Sequence, residues 1–164
     1  MADLTYSQKA TDRKGASGLV TGKGDAHSLK ALVVATVELA SVASGTTVKF
    51  GRIPSNARLS GLSRVYWDDL TTTGSPTLDI GLASVSANIT NDPDALSNGH
   101  AVSSADAEGA TAVTDVANYG KRAWEFVNGQ STDPGGQLDV YGSIVDAATV
   151  GTGTVTLELL GYFD

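Results

Sequence analysis

The sequence predicts an all-β protein, a jelly-roll-like β-sandwich with an extended N-terminal arm and one long loop excursion. Three observations predict this class. The chain has 19 Gly, with 18% charged and 6% aromatic residues, a composition typical of short strands and turns and unlike that of a helix bundle. Several segments alternate apolar and polar residues with period two, as strands with one buried face do. Turn-forming residues separate these segments.

The length limits the number of domains, and the composition excludes several kinds of site and segment. With 164 residues and 41% hydrophobic content, the chain fits one domain, predicted at residues 31–164, plus an extension at 1–30. It has no cysteine, which excludes disulfides and cysteine-based metal sites. The longest apolar run, Ala31–Val37, is too short to cross a bilayer. Because the N-terminus is polar and has no signal region, we expect synthesis in the cytosol and no membrane partner.

Residues 1–30 show no usable periodicity and are rich in Gly, Ser and Thr. They hold five basic and three acidic residues, whereas residues 31–164 hold six and fifteen; the acidic body argues against nucleic acid as the main partner. Alone, the segment buries too little apolar surface to offset its ordering entropy. It is either a disordered tail or an arm that orders on a neighbouring subunit. The candidate contact residues of such an arm are Tyr6, Lys9, Arg13, Lys14, Leu19, Val20 and Lys23.

The first half of the body contains the clearest strand patterns. The predicted strands are Ala31–Ala40, Thr46–Arg52, Ala57–Trp67 and Thr77–Leu82. In the long third strand, Leu59, Val65 and Trp67 share the inward parity, while Arg58 and Arg64 share the outward one; Leu62 alone breaks the pattern. This segment is expected to be the scaffold of the sandwich.

The second half opens with a weakly periodic stretch. Residues 83–120 are small and polar, which indicates a surface excursion or a packing segment between subunits. Within it, Asp92–Gly99 resembles one capped helical turn, with Pro93 at its first position. Strand patterns then return at Lys121–Asn128, Gln137–Val145 and Thr154–Phe163.

No motif in the sequence predicts a catalytic, cofactor-binding or metal site. The two histidines, His27 and His100, lack ligand spacing for zinc, and no P-loop or nucleophile-elbow sequence is present. A Ser–His–Asp triad is compatible with the composition but nothing marks one Ser. Asp92 and Asp94 fit a capped turn better than a calcium loop. Trp67 and Trp124 can stack on a sugar, but their parity favours core packing.

The outward arginines form the candidate partner-binding surface of the body. Arg58 and Arg64 are predicted to bind carboxylates of a neighbouring subunit or partner protein, because the guanidinium fork binds carboxylates bidentately. The alternative is pairing within the chain to Asp68, Asp69 or Asp79.

Three segments carry a resemblance to a known family. The leading strand followed by ELASVASGTTVKFGRIPSNARL, then LDIGL, and the closing GTGTVTLELLGYFD resemble the small decoration proteins (cement or auxiliary head proteins) of tailed bacteriophages. The resemblance covers roughly Ala31–Leu82 and Lys121–Asp164. Its motifs are a Ser/Gly turn, Gly-x-Ile-Pro, Asp-Ile-Gly and a terminal alternating strand, and the family has no catalytic residues to transfer.

The resemblance implies a non-enzymatic virion protein, often a homotrimer, with a jelly-roll-like sandwich. Such a protein is made in the host cytoplasm, lies on the outer surface of the icosahedral head and clamps neighbouring major capsid proteins, commonly with an N-terminal arm. The alternative is a head fibre or a carbohydrate- or receptor-binding sandwich module on the virion, which needs an exposed Trp67 or Trp124. A hydrolase with an unrecognised triad is a third possibility, with His100 as its best candidate base.

Overall fold

The fold is taken from a computed structural model, which describes residues 29–70, 74–85, 89–114 and 116–163. The predicted arm contacts at Tyr6, Lys9, Arg13, Lys14, Leu19, Val20 and Lys23 lie outside the described residues. In the described part of the chain, no helix is long and apolar enough to span a membrane.

The protein is an all-β sandwich of two antiparallel sheets, as the sequence predicts. Its strands are β1 (Lys30–Ala40), β2 (Thr47–Pro54), β3 (Arg58–Leu59), β4 (Arg64–Trp67), β5 (Thr77–Ser84), β6 (Asp92–Ala101), β7 (Asp106–Thr111), β8 (Gln137–Val145) and β9 (Thr152–Tyr162). Two short 3-10 helices, Val116–Asn118 and Ala123–Phe126, lie between β7 and β8.

The first sheet, sheet A, has the order β1-β9-β4-β7, with β3 pairing β9 beside β4; the second, sheet B, has the order β2-β8-β5-β6. The first and last strands therefore pair along most of their length, from Lys30 opposite Gly161 to Ala40 opposite Thr152. Eight main strands in two sheets is the strand count of a jelly roll, and the jelly-roll assignment itself stays a prediction.

The core lies between the sheets and follows the predicted alternation. In β9, Val155, Leu157 and Leu159 are fully buried while the residues between them are half-buried. The other predicted inward residues of the central strands are likewise fully buried: Leu59, Val65, Leu78, Ile80, Leu82, Leu138, Val140 and Ile144. Burying such side chains stabilises the fold by roughly 1.5–3 kcal/mol each, so these central strands supply much of the core.

The predicted single strand over Ala57–Trp67 is wrong, because a turn at 60–63 divides it into β3 and β4. Ser63, which is fully buried, donates its hydroxyl to the Ser60 carbonyl at 2.7 Å and accepts from the Leu160 N–H at 3.0 Å. These bonds close the turn and attach it to β9. The inward residues keep their parity, since the turn returns the chain to the same sheet.

The segment at 83–120 contains the edge strands β6 and β7, one for each sheet. The helical turn predicted at Asp92–Gly99 is wrong, because this stretch is part of β6 and pairs with β5. The Asp92 carboxylate does not cap a helix; it accepts from the Asn128 N–H at 2.7 Å. Pairing to a buried strand has overridden the local capping signal.

The strand pattern at Lys121–Asn128 is also wrong, since residues 123–126 form a 3-10 helix. The backbone N–H groups of Ala123 and Trp124 donate to the carbonyls of Ala57 and Ser55, at 2.8 and 3.1 Å. The segment thus closes over the loop between β2 and β3. Phe126 is buried and Trp124 is half-buried.

Candidate partner-binding surface

A groove at one end of sheet A is the candidate site of the described chain. It has a volume of about 600 Å³, within the range of small binding sites. We call it the end groove. Its lining residues are Leu59, Ser60, Gly61, Leu62, Arg64, Thr111, Tyr119, Gly120 and Tyr162.

The turn between β3 and β4 holds an apolar side chain out toward solvent. Leu62 is 60% exposed, and its N–H donates to the Ser60 hydroxyl at 3.2 Å. The bonds of buried Ser63 fix the turn on β9, so Leu62 stands on a rigid support. This side chain adds exposed apolar surface to the end groove.

Tyr119 lies beside this turn and is 42% exposed. Its ring packs on Gly61, where an added Cβ would fall 2.2–2.5 Å from three ring carbons. The ring position therefore depends on the missing side chain at residue 61. Together Leu62 and Tyr119 give the end groove an apolar, partly aromatic wall.

Arg64 supplies the positive charge of the groove. Its Nη1 donates to the carbonyls of Gly61 and Ser63 at 3.3 and 3.2 Å, and to the Thr111 hydroxyl at 3.2 Å. Within the described residues it forms no ion pair, although Glu158 lies opposite it on β9. Since these bonds all use one nitrogen, Nη2 and Nε keep donors for an external acceptor.

Arg58, the other predicted partner-binding residue, has a contact within its own chain. Its Nη1 donates to the Gly120 carbonyl at 2.6 Å. The Gly120 N–H in turn donates to the Leu59 carbonyl at 3.1 Å. Arg58 therefore fixes the segment that carries Tyr119. Arg58 and Arg64 lie opposite Tyr162 and Glu158 of β9, so they share one face of sheet A, as their parity indicated.

The start of β1 lies at this same end. Lys30 pairs with Gly161 of β9, and Gly161 pairs on its other side with Leu59 of the groove. Two strand spacings separate Lys30 from Leu59, roughly 10 Å. The chain segment before Leu29 therefore joins the sandwich beside the end groove.

The sequence did not predict the two exposed apolar residues of the groove, Leu62 and Tyr119. The position of Leu62 carried a signal, because it alone breaks the outward polar parity of its segment. Nothing in the sequence near Tyr119 indicated that residues 118–122 run beside β3.

A charged cluster lies on the outer face of sheet B. Asp139 accepts from Lys49 and Arg52 at 2.6 and 2.7 Å. Burial opposes ionisation of this carboxyl, but the two cations outweigh it and lower the pKa of Asp139. The outward Arg52 is thus paired with a carboxylate of its own sheet, unlike Arg64.

His100 forms a pair with Ser97 but no catalytic triad among the described residues. Its Nε2 lies 2.9 Å from the Ser97 hydroxyl, and Ser97 is buried. Asp79, the nearby carboxylate, accepts instead from the Gly99 N–H at 2.8 Å. Burial lowers the pKa of His100 and outweighs the opposing charges of Asp79 and Asp106. The described part of the chain also holds no cluster of three or more His, Asp or Glu suited to a metal ion.

The two tryptophans differ in their surroundings. Trp67 is buried, and its indole N–H donates to the Ser104 carbonyl at 2.8 Å. Its ring lies 5.5 Å from that of His100, so core packing is confirmed for Trp67. Trp124 is half-buried, and its indole N–H has no acceptor among the described residues.

Comparison of the chain with protein families, with curated proteins and with solved structures gives no significant match.

Proposed function

We propose that this chain is a non-enzymatic virion structural protein that binds the outer surface of an icosahedral phage head. In this proposal it holds neighbouring major capsid proteins together and so stabilises the head. It is made in the host cytoplasm and acts on the outer capsid surface. The resemblance to decoration proteins suggests that the partner is the major capsid protein. The all-β fold and the end groove support the proposal.

One structural observation carries the proposal: the end groove and the start of β1 lie side by side on sheet A. Lys30 and Leu59 pair with the same residue, Gly161, from its two sides. The end groove therefore lies beside the point where the chain segment 1–28 is attached to the sandwich. This arrangement allows one molecule to hold two neighbouring subunits, one through the groove and one through the segment.

The chemistry of the groove suits a protein partner. Leu62 and Tyr119 offer exposed apolar surface, and Arg64 offers a guanidinium whose remaining donors fit a carboxylate. An apolar side chain flanked by Asp or Glu on a capsid protein would match both features. Partner surfaces of this kind place most binding energy in a few aromatic and arginine contacts.

Two linked contacts give tight attachment to the capsid even when each contact alone is weak. Once the groove is bound, the second contact, through residues 1–28, becomes intramolecular, so its effective concentration is high. Residues 1–30 carry more basic than acidic residues, and the body carries the reverse. We therefore assign the linked segment to an acidic region of the capsid, at a short range set by screening.

The test is to mix the purified protein with expanded capsids of the same phage that lack it. The proposal predicts saturable binding and a higher temperature of capsid disruption. A protein that leaves the cognate capsid unbound, or bound without any change in disruption temperature, would overturn the proposal.

A further inference from the structure

The four outer strands of the sandwich differ in how open their edges are. β1 and β7 flank sheet A, and β2 and β6 flank sheet B. In antiparallel sheets an outer strand directs every second pair of N–H and C=O groups away from its neighbour. Proteins block such edges with bulges, charges, prolines or shortened strands, because an open edge pairs with other chains.

Three of these edges carry blocking features. β2 has the exposed cations Lys49 and Arg52, a register irregularity between Lys49 and Gly51, and Pro54 at its end. β6 contains Pro93, Gly99 at φ +76° and two register irregularities. β7 has only six residues and contains Gly109 at φ +86°. Each therefore resists continuous pairing.

The edge of β1 is different. Its only register irregularity lies between Ala31 and Val33, and from Val33 to Ala40 it pairs with β9 without interruption. This stretch has no proline, glycine or lysine, and its one charge is Glu38. Val34 on its outer face is 65% exposed. The uninterrupted stretch is long enough for a ladder of roughly 25 Å.

We infer that β1 pairs antiparallel with β1 of a second copy, so that the two sheets A join into one continuous sheet across a twofold axis. The occupant is a second copy because β1 is the one open edge of the described sandwich, and two open edges are needed for strand pairing between copies. The same edge meeting itself gives twofold symmetry. A closed trimer built by strand pairing would need β1 to meet another, blocked edge.

Charge and the bulge limit the register within this pair, and we take the register with its axis at Thr36. An axis at Glu38 would place the two Glu38 carboxylates opposite each other, which is unfavourable. An axis at Thr36 places Glu38 opposite Val34 of the second copy and uses residues 33–39 of both strands, all beyond the bulge. Because the β2 edges are blocked, the two copies pair through sheet A and not through sheet B.

The inference is tested on the full chain in solution, without capsids, so its outcome does not depend on the proposed function. Sedimentation equilibrium over a range from micromolar to millimolar concentration should show a reversible monomer–dimer equilibrium. A monomer at every concentration, or association into trimers only, would overturn the inference.

Charge variants then test the register. Val34→Lys places a lysine opposite Glu38 of the second copy twice per dimer. Because each lysine there meets a carboxylate, unlike an unpaired edge lysine, the change should tighten association roughly twofold to thirtyfold. Val34→Lys with Glu38→Lys places lysine opposite lysine twice, and it should weaken association below that of the parent chain. Glu38→Lys alone faces Val34 and is the matched control, with little effect.

The three variants should not differ in the stability of the single copy, so their association can be compared directly. Within one copy, residue 34 lies opposite Glu158 and residue 38 opposite Thr154, so neither lysine meets a like charge on β9. The melting temperatures of the three variants should stay close to that of the parent. Equal association by the single Val34→Lys variant and the double variant would overturn the proposed pairing.

Discussion

The ring of Tyr119 packs directly on Gly61, with three ring carbons 2.2–2.5 Å from where a Cβ of residue 61 would lie. This contact joins the turn between β3 and β4 to the segment after β7. It sets the wall of the end groove beside exposed Leu62. The shape of the proposed capsid-binding surface therefore depends on a glycine with no chemistry of its own.

Gly61→Ala should displace the Tyr119 ring and weaken capsid binding by about 1 kcal/mol, roughly fivefold. The ring is partly exposed and can move outward, so the free energy of unfolding should change by no more than about 0.5 kcal/mol. Titration of capsids with labelled protein measures the binding. Tyr119→Ala should cause a similar loss, and the double variant should show clear non-additivity. Fully additive losses would contradict a shared contact.

Ser63→Ala should destabilise the fold by about 1–3 kcal/mol, because it leaves the Leu160 N–H without its hydroxyl acceptor in a buried site. Urea denaturation followed by fluorescence measures this change. The matched control is Ser60→Ala, whose hydroxyl accepts one bond from Leu62 in a half-buried position; it should cost about 0.5 kcal/mol or less. Equal costs for the two variants would show that Ser63 does not hold the turn.

His100 should make the protein less stable as the pH falls below neutrality. Burial lowers the pKa of the ring below its ordinary value of 6.5, so in that range the unfolded chain binds more protons than the folded one. The free energy of unfolding therefore falls as pH drops from above 6.5 toward the folded-state pKa. His100→Gln keeps a polar partner for Ser97 and should flatten this part of the curve. Parallel pH curves for parent and variant, measured by urea denaturation, would rule out this role.

Removing residues 1–28 should leave the sandwich folded while weakening capsid attachment by about a hundredfold, since one of two linked contacts is lost. Val33 is the first buried apolar residue of the described chain. Removing residues 1–28 therefore takes away none of the described core residues, and circular dichroism and melting temperature should change little. Capsid titration compares the shortened and full chains. Undiminished affinity of the shortened chain would assign all binding to the sandwich.

Much of the fold follows from local alternation. In β9 the apolar residues predicted to face inward, Val155, Leu157 and Leu159, are buried at every second position. β8 likewise buries the predicted Leu138, Val140 and Ile144, but its alternation is interrupted where Gly142 and Ser143 are also buried. The two sheets could be predicted from this signal. Their pairing order could not, because it depends on contacts distant in sequence, such as Lys30 with Gly161.

The errors fall where tertiary pairing opposes the local signal. Asp92 and Pro93 begin a good capped turn in isolation, but pairing with β5 makes them strand residues. Ala57–Trp67 alternates through a turn, because the turn at 60–63 returns the chain to the same sheet with its parity kept. Trp124 has strand-like parity yet lies on a 3-10 helix, since the backbone there bonds to Ser55 and Ala57.

The candidate site was only half predictable. Arg58 and Arg64 share an outward parity that the sequence shows, and the structure places both on one face of sheet A. Their roles differ because Gly120 comes beside β3 and accepts from Arg58, a contact 62 residues apart in the chain. No local pattern indicates such a contact, and the same is true of Tyr119.

The central claim, that the end groove binds the capsid, is tested most directly by comparing Leu62→Asp with Val150→Asp. Both replace an exposed apolar residue, 60% and 51% exposed. Val150 lies beyond the opposite end of β9, roughly 30 Å away. Titration of undecorated capsids should show binding weakened at least tenfold by Leu62→Asp and nearly unchanged by Val150→Asp. Equal affinities of the two variants for the capsid would contradict the account.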